Sequence, residues 1–331
     1  MPYTFCMSKA LITGITGQDG IHLSKLLIEK GYEVHGVVNG QNQMRHHQYI
    51  KRFPEVRIHQ GDLTDFASLM EVLSIVKPDE IYNLGAISFV GMSFKQPELT
   101  ANVTGLGTLR LLEAMRKTGL TDTSRFYQAS SSEMFGHVRE SIQTETTPFY
   151  PRSPYGVAKT FAHYTCVNYR ESYGIHASSG ILFNHEGENR GFEFVTRKIT
   201  SNIARIKYGL QERFSLGDLT PLRDWGYAGD YVEAMWLMLQ QDKPDDFVIA
   251  TGVTHSVGDF LKKAIEVADL KGDLDKFVDI DNDLIRPAEV QTLCGDATKA
   301  KNVLGWTPTV KFDDLVELMV KNDLKLLKEN P

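Results

Sequence analysis

Cysteine is scarce in this chain: among 331 residues there are Cys6, Cys166 and Cys294, far apart and with no CxxC pair. That excludes a disulfide framework or a structural zinc site, predicts no bound metal, and suits a reducing compartment. No apolar run approaches the roughly 18 residues of a membrane span. The start, MPYTFCMSKALITG, has neither a charged n-region nor an uncharged h-region of signal-peptide length. A cytoplasmic protein without a membrane partner is expected. Excess positive charge is missing too, because the formal net charge is −6. Nucleic-acid binding rests on clustered Lys and Arg that neutralise phosphates, so that partner is excluded. A small anionic ligand, which needs a few local cations, is not. Hydrophobic residues make up 42% of the chain, ordinary for a globular protein and enough to build a core.

Repeats, low-complexity segments and linkers are also absent, and the first half instead alternates two patterns. KALIT reads as a buried strand, and IHLSKLLIEKG as a helix with Leu23, Leu26 and Leu27 on one face. Gly31 closes that helix at its C-cap. YEVHGVV, VRIHQ, EIYNLGA and RFYQAS read as four further strands, with helical patterns between most of them. Such alternation predicts an α/β, Rossmann-type, doubly wound parallel sheet, with ligands outside the carboxyl ends of its strands. The pattern loosens after about residue 180. We expect residues 1–180 to form the dinucleotide-binding domain and residues 181–331 mainly a smaller substrate-binding lobe, partly interleaved with the first.

Gly14, Gly17 and Gly20 give GxxGxxG between the first strand and the first helix. The first glycine permits a tight turn, the second a close approach to a pyrophosphate, and the third close helix–strand packing; the helix N-terminus adds amide donors. This spacing is associated with extended short-chain dehydrogenases. The neighbouring Thr16, Gln18 and Asp19 belong to the same expected cofactor site. The second strand ends VVNGQNQMRHH, offering neither the usual acid for a ribose hydroxyl nor an adjacent arginine. Arg45, His46 and His47 follow and could meet a 2′-phosphate, or could form a solvated basic loop. NADP is the expected cofactor, with NAD the alternative. In GDLTD, Asp62 could accept from the adenine amino group and Leu63 pack on its ring, while Asp65 reads as a helix N-cap.

SPYGVAKT places Tyr155 and Lys159 on one helical face. A lysine beside a tyrosine hydroxyl favours the phenolate, which can take a proton from an alcohol as hydride leaves. ASSSEMFG follows the fifth strand, and Ser131 can hydrogen-bond the same oxygen as Tyr155. Glu133 stands two positions on, and along an extended strand end it would share the face of Ser131. Oxidation and reduction at one carbon do not need that carboxylate. Elimination does: a ketone at C4 acidifies the C5 proton, a base removes it, and the C6 hydroxyl departs as water. The plain alternative is a glutamate in a surface turn.

These segments, together with LITGITGQDG, GILFNHE, RGFEFVTRKI, RDWGYAGDYVEAMWLMLQ and RPAEVQTLCGDATKAKNVLGW, resemble the GDP-mannose 4,6-dehydratase family nearly end to end. The resemblance implies a hydro-lyase that converts GDP-mannose to GDP-4-keto-6-deoxymannose for GDP-deoxyhexose synthesis. Ser131, Glu133, Tyr155 and Lys159 match its catalytic set. Leu84, Ala86 and Ser88 join the expected cofactor residues. Ser88, Glu133, Asn184, Val195, Lys198, Arg223, Arg286 and Glu289 match positions expected to line the GDP-sugar site, where the cations suit a diphosphate. A homodimer or homotetramer is implied. The chain departs from the family where NGQNQMR lacks an Arg-Arg-Ser-Ser type run, at Ile87 in place of a glutamine, and at NHEGENRG in place of NHESPRRG. A related substrate such as a GDP-heptose, a nucleotide-sugar 4-epimerase or reductase, and a non-catalytic NADP sensor are the alternatives. The intact Ser131, Glu133, Tyr155 and Lys159 argue against the last.

Overall fold

The structure is a computed structural model and describes residues 7–284, 287–288 and 290–329. Its first half runs β1 (Lys9–Thr13), α1 (Gln18–Glu29), β2 (Glu33–Val38), α2 (Gln43–Arg52), β3 (Arg57–Gln60), α3 (Phe66–Val76) and β4 (Glu80–Asn83). Then come α4 (Val90–Lys95), α5 (Pro97–Thr100), a π-helical stretch (Ala101–Leu106), α6 (Gly107–Lys117), β5 (Arg125–Ser131), α7 (Pro154–Tyr173) and β6 (His176–Leu182). The rest runs β7 (Asn184–Glu186), α8 (Val195–Lys207), β8 (Phe214–Leu216), β9 (Leu222–Tyr227), α9 (Ala228–Gln240), β10 (Asp246–Ile249), β11 (Thr254–Ser256) and α10 (Val257–Val267). It closes with α11 (Leu274–Phe277), β12 (Val278–Ile280), β13 (Thr292–Leu293), α12 (Thr298–Leu304) and α13 (Phe312–Glu329).

Seven parallel strands form the main sheet in the order β10-β6-β5-β4-β1-β2-β3. Side chains alternate between its faces, so each strand feeds two cores. From β1, Ala10 and Ile12 pack with Leu23 and Leu27 of α1 and Met235 and Met238 of α9. Leu11 faces the other way, toward Leu73 of α3, Leu111 of α6 and Cys166 of α7. Each large aliphatic side chain here contributes about 1.5–3 kcal/mol by leaving water. β6 runs through residue 180, and from the second half β10 returns to complete this sheet while α9 packs against it. A further core, with Ile199 and Ile203 of α8, Phe260 of α10 and Met319 of α13, holds the smaller lobe. There β7 pairs with β9 in parallel, setting Asn184 beside Trp225.

Two local expectations change. The basic stretch after β2 is the helix α2: Asn42 caps it by accepting from Arg45 N–H, and Tyr49 anchors it on the core. The C-cap of α1 is Lys30, and Gly31 follows it with φ +82°. Asp65 does cap α3, accepting from Ala67 N–H at 3.0 Å. Cys166 and Cys294 are free thiols, and Cys6 lies outside the described residues.

Candidate active site

The glycine turn sits where β1 gives way to α1. Gly14 has φ +69°, and a Cβ there would lie 2.9 Å from Gly85 N, so it permits both the turn and the approach of the loop after β4. A Cβ on Gly20 would lie 2.3 Å from Ile15 O; this glycine packs against its own loop rather than the sheet. Gly17 is the N-cap of α1, and no side chain caps that end. First-turn amides and a positive dipole end are thereby left for an anion. Asp19 is engaged differently: its Oδ2 lies 2.8 Å from His185 Nε2, while Gln18 donates to His185 O at 3.1 Å. Burial opposes the Asp19 charge, but His185 outweighs it and holds the carboxyl far below its ordinary range.

These groups line a cleft of about 680 Å³ that also takes in Thr16, Arg45, Leu84, Ala86, Ser88, Ser131, Glu133, Tyr155, Lys159, Asn184, Val195, Lys198 and Arg223. Asp62 and Leu63 are not among its walls. The Asp62 carboxylate accepts from the N–H and hydroxyl of Thr64, and Leu63 is buried in the core beside Gly85 and Gly107. Arg45 is exposed at the rim. Arg286 and Glu289 lie outside the described residues.

Helix α7 begins with Pro154 behind Ser153, whose hydroxyl accepts from Gly156 N–H at 3.0 Å. That start turns Tyr155 and Lys159 inward, and both are buried. Glu133 does not sit on an extended strand end. β5 stops at Ser131, and Glu133 occupies a 3₁₀ turn, Ser132–Met134, with its N–H donating to Ser131 Oγ at 3.2 Å. The turn, not strand alternation, brings the buried carboxylate into the cleft. The neighbouring serine has another partner, Ser130 Oγ lying 3.1 Å from His163 Nδ1.

The lysine–tyrosine expectation also needs correction. Lys159 Nζ donates to Ala129 O at 2.6 Å and lies 5.7 Å from the centre of the Tyr155 ring. Burial pushes the Tyr155 hydroxyl well above its ordinary value, the Ser131 hydrogen bond opposing it and the Glu133 charge adding to it. Burial likewise pushes the Lys159 ammonium down to about 8, against the pull of Asp19.

Asn184 Oδ1, also in the cleft lining, is buried and has no hydrogen-bond partner among the described residues. Arg223 is buried on β9 and donates to Leu222 O at 2.9 Å. Half-buried Lys198 has its pKa lowered by burial, with Asp281 opposing. Sequence reasoning gave no role to His185, Arg190, Phe89, Phe194 or Trp225, which also line the cleft. Arg190, in the loop after β7, pairs with Glu186 at the end of that strand at 2.9 Å.

The strand order with the glycine turn at the end of β1 defines a Rossmann-type enzyme fold of the short-chain dehydrogenase/reductase kind. A family profile described as GDP-mannose 4,6 dehydratase matches residues 11–319. The chain is 53% identical to GDP-mannose 4,6 dehydratase 2 of Arabidopsis thaliana, over 96% of this chain and 87% of that one. It is 50% identical to the Homo sapiens GDP-mannose 4,6 dehydratase, over 97% and 93%. A UDP-glucose 4-epimerase of Thermus thermophilus, solved in complex with NAD, superposes with a TM-score of 0.82 at 27% identity, over 95% and 98%. The chain belongs to the GDP-mannose 4,6-dehydratase family.

Proposed function

We propose that this chain converts GDP-mannose to GDP-4-keto-6-deoxymannose and water, and that Ser131, Glu133, Tyr155 and Lys159 carry the reaction. The observation that carries the reading is the buried Glu133 carboxylate sharing one cleft with Tyr155, Lys159 and the glycine turn. A 4-epimerase or reductase has no step for that carboxylate.

The uncapped start of α1 fits the pyrophosphate of a nicotinamide dinucleotide, with Gly14, Thr16, Gly17, Gln18, Leu84, Ala86 and Ser88 lining the same cleft. The cofactor is NADP in this reading, and Arg45, exposed at the cleft rim, would supply a cation for its 2′-phosphate. When bound, it supplies reversible hydride acceptance, so that oxidation at C4 and reduction at C6 cancel. Tyr155 takes the proton of the C4 hydroxyl, and Ser131 orients the same oxygen. Lys159 places a cation against the end of β5. Glu133 then removes the C5 proton and delivers it to the C6 hydroxyl, which leaves as water; the proton held by Tyr155 is available to C5 as C6 is reduced. Arg223 and Lys198 hold the diphosphate, and Asn184 offers its unpaired oxygen to the ligand. The outward face of α7, where Val157, Phe161 and Tyr164 are exposed, supports a homo-oligomer. Incubation with GDP-mannose and a catalytic amount of NADP tests the function: the nucleotide sugar should lose the mass of one water. Recovery of unchanged or 4-epimerised sugar would refute it.

A further inference from the structure

Two aromatic rings from distant parts of the chain, Phe89 and Phe194, meet in the lining of the cleft. Phe89 stands on the loop after β4, between Ser88 and the start of α4; Phe194 immediately precedes Val195, the first residue of α8. Their ring centres are 5.9 Å apart at 75°, an edge-to-face contact. Phe194 is backed by the Arg190 guanidinium, 3.6 Å from its ring centre. Arg190 is in turn held by Glu186 at 2.9 Å, and Glu186 accepts from Thr196 Oγ1 at 2.6 Å. Phe89 has a different neighbour: a Cβ on Gly91 would lie 3.1 Å from its ring, so glycine leaves that ring its room. One ring is therefore braced by an ion pair, and the other, at the N-cap of α4, packs only against the small Gly91 on that side. Both line the same cleft as Ser131, Glu133 and Tyr155.

We infer that Phe89 and Phe194 form a clasp that keeps the oxidised sugar in the cleft between the two halves of the reaction. The inference rests on the dehydratase reading. That reaction passes through a GDP-4-ketohexose that must stay until the C5 proton and C6 hydroxyl have left. Neutral rings suit such a clasp, because they exclude water without competing for the diphosphate. One edge contact is also weak enough to open for substrate and product. Early opening releases the ketone intact. The hydride then remains on the cofactor and the C4 hydroxyl proton on Tyr155, so one reduced cofactor appears for each sugar lost.

The test compares the wild type with Phe89→Leu and Phe194→Leu, which keep apolar bulk but lose the ring contact. Each is given GDP-mannose and stoichiometric NADP. Dehydrated sugar is measured by mass, and reduced cofactor in the ultrafiltrate by absorbance. Wild type should release dehydrated sugar with little free reduced cofactor. In the variants the released fraction should rise by about tenfold, the scale of one lost ring contact. Variants that dehydrate with the wild-type released fraction would overturn the clasp. A wild type that makes no dehydrated sugar would overturn the dehydratase reading itself, and the clasp with it.

Discussion

Asp19 Oδ2 lies 2.8 Å from His185 Nε2, fastening the first turn of α1 to β7 across 166 residues of sequence. Nδ1 of the same ring lies 2.8 Å from Phe183 O, so the imidazolium can donate from both nitrogens. Burial opposes the His185 charge, but Asp19 outweighs it and raises its pKa above the ordinary value. The glycine turn and the smaller lobe are thus joined by a titratable pair.

The sign of its pH dependence follows. A raised folded pKa means that the His185 contribution is complete below about 6.5 and is lost as pH rises through the folded pKa. The lowered Asp19 pKa gives a contribution present above about 3.9 and lost only in strong acid. His185→Gln, which removes the charged partner of Asp19 and leaves it the Gln18 amide, should destabilise by on the order of 3 kcal/mol at pH 6 and by clearly less at pH 9. Urea denaturation at the two pH values reads this. Equal losses at both would show that the imidazole is neutral in the folded protein.

Lys159 carries the opposite linkage. Its folded pKa of about 8 lies below the value of about 10.4 for a free lysine, so the wild type gains stability as pH rises between those values. Lys159→Met removes a charge that burial disfavours. It should stabilise the protein by on the order of 2 kcal/mol at pH 7, and the gain should shrink toward pH 10. Thermal unfolding of both proteins across that range checks the trend, and activity should be lost.

Much of this architecture was legible in the sequence because it is written locally. KALIT, YEVHGVV and RFYQAS are strands, and the leucine face of α1 is where its spacing puts it. The glycine turn and the inward pair Tyr155 and Lys159 needed only neighbouring residues to be found. Glu133 was singled out by an argument about strand alternation that does not apply, since a 3₁₀ turn sets its direction. His185, Arg190 and Phe194 were missed because their meaning comes from partners elsewhere. Asp19 finds His185 far along the chain, and Phe89 meets Phe194 in the cleft lining. The basic stretch after β2 misled for the opposite reason: Tyr49 anchors it as a helix on a core built by other segments.

The placement of the diphosphate is testable at Arg223 and Lys198. If Arg223 and Lys198 hold the diphosphate, Arg223→Gln and Lys198→Ala each remove a charge-assisted contact, of a kind worth roughly 1.5–3 kcal/mol. GDP affinity should fall by about tenfold to a hundredfold in either variant, with little change in cofactor affinity. Calorimetric titration with GDP and with NADP separates the two effects. Arg223 is buried, so the half-buried Lys198 position guards against a loss of folding. Unchanged GDP affinity in both variants would place the diphosphate elsewhere.

Glu133→Gln should divide oxidation from elimination. Glutamine keeps the shape and one oxygen but cannot take the C5 proton, while Ser131, Tyr155 and Lys159 are untouched. Dehydration should slow by about 10²–10⁴-fold, the usual scale for a general base. Rapid-mixing absorbance should still show reduced cofactor forming on the enzyme. Tyr155→Phe should show none. A Glu133→Gln enzyme that dehydrates at the wild-type rate would make Glu133 a residue of the turn alone.

The most direct measurement follows the hydrogen at C4. GDP-mannose deuterated at C4 is turned over with a substoichiometric amount of NADP, and the product is examined by NMR. If the hydride leaves C4 and returns within the same site, the deuterium appears in the C6 methyl group of GDP-4-keto-6-deoxymannose, over many turnovers per cofactor. Deuterium found in released reduced cofactor, or still at C4 of an epimerised sugar, would contradict the account.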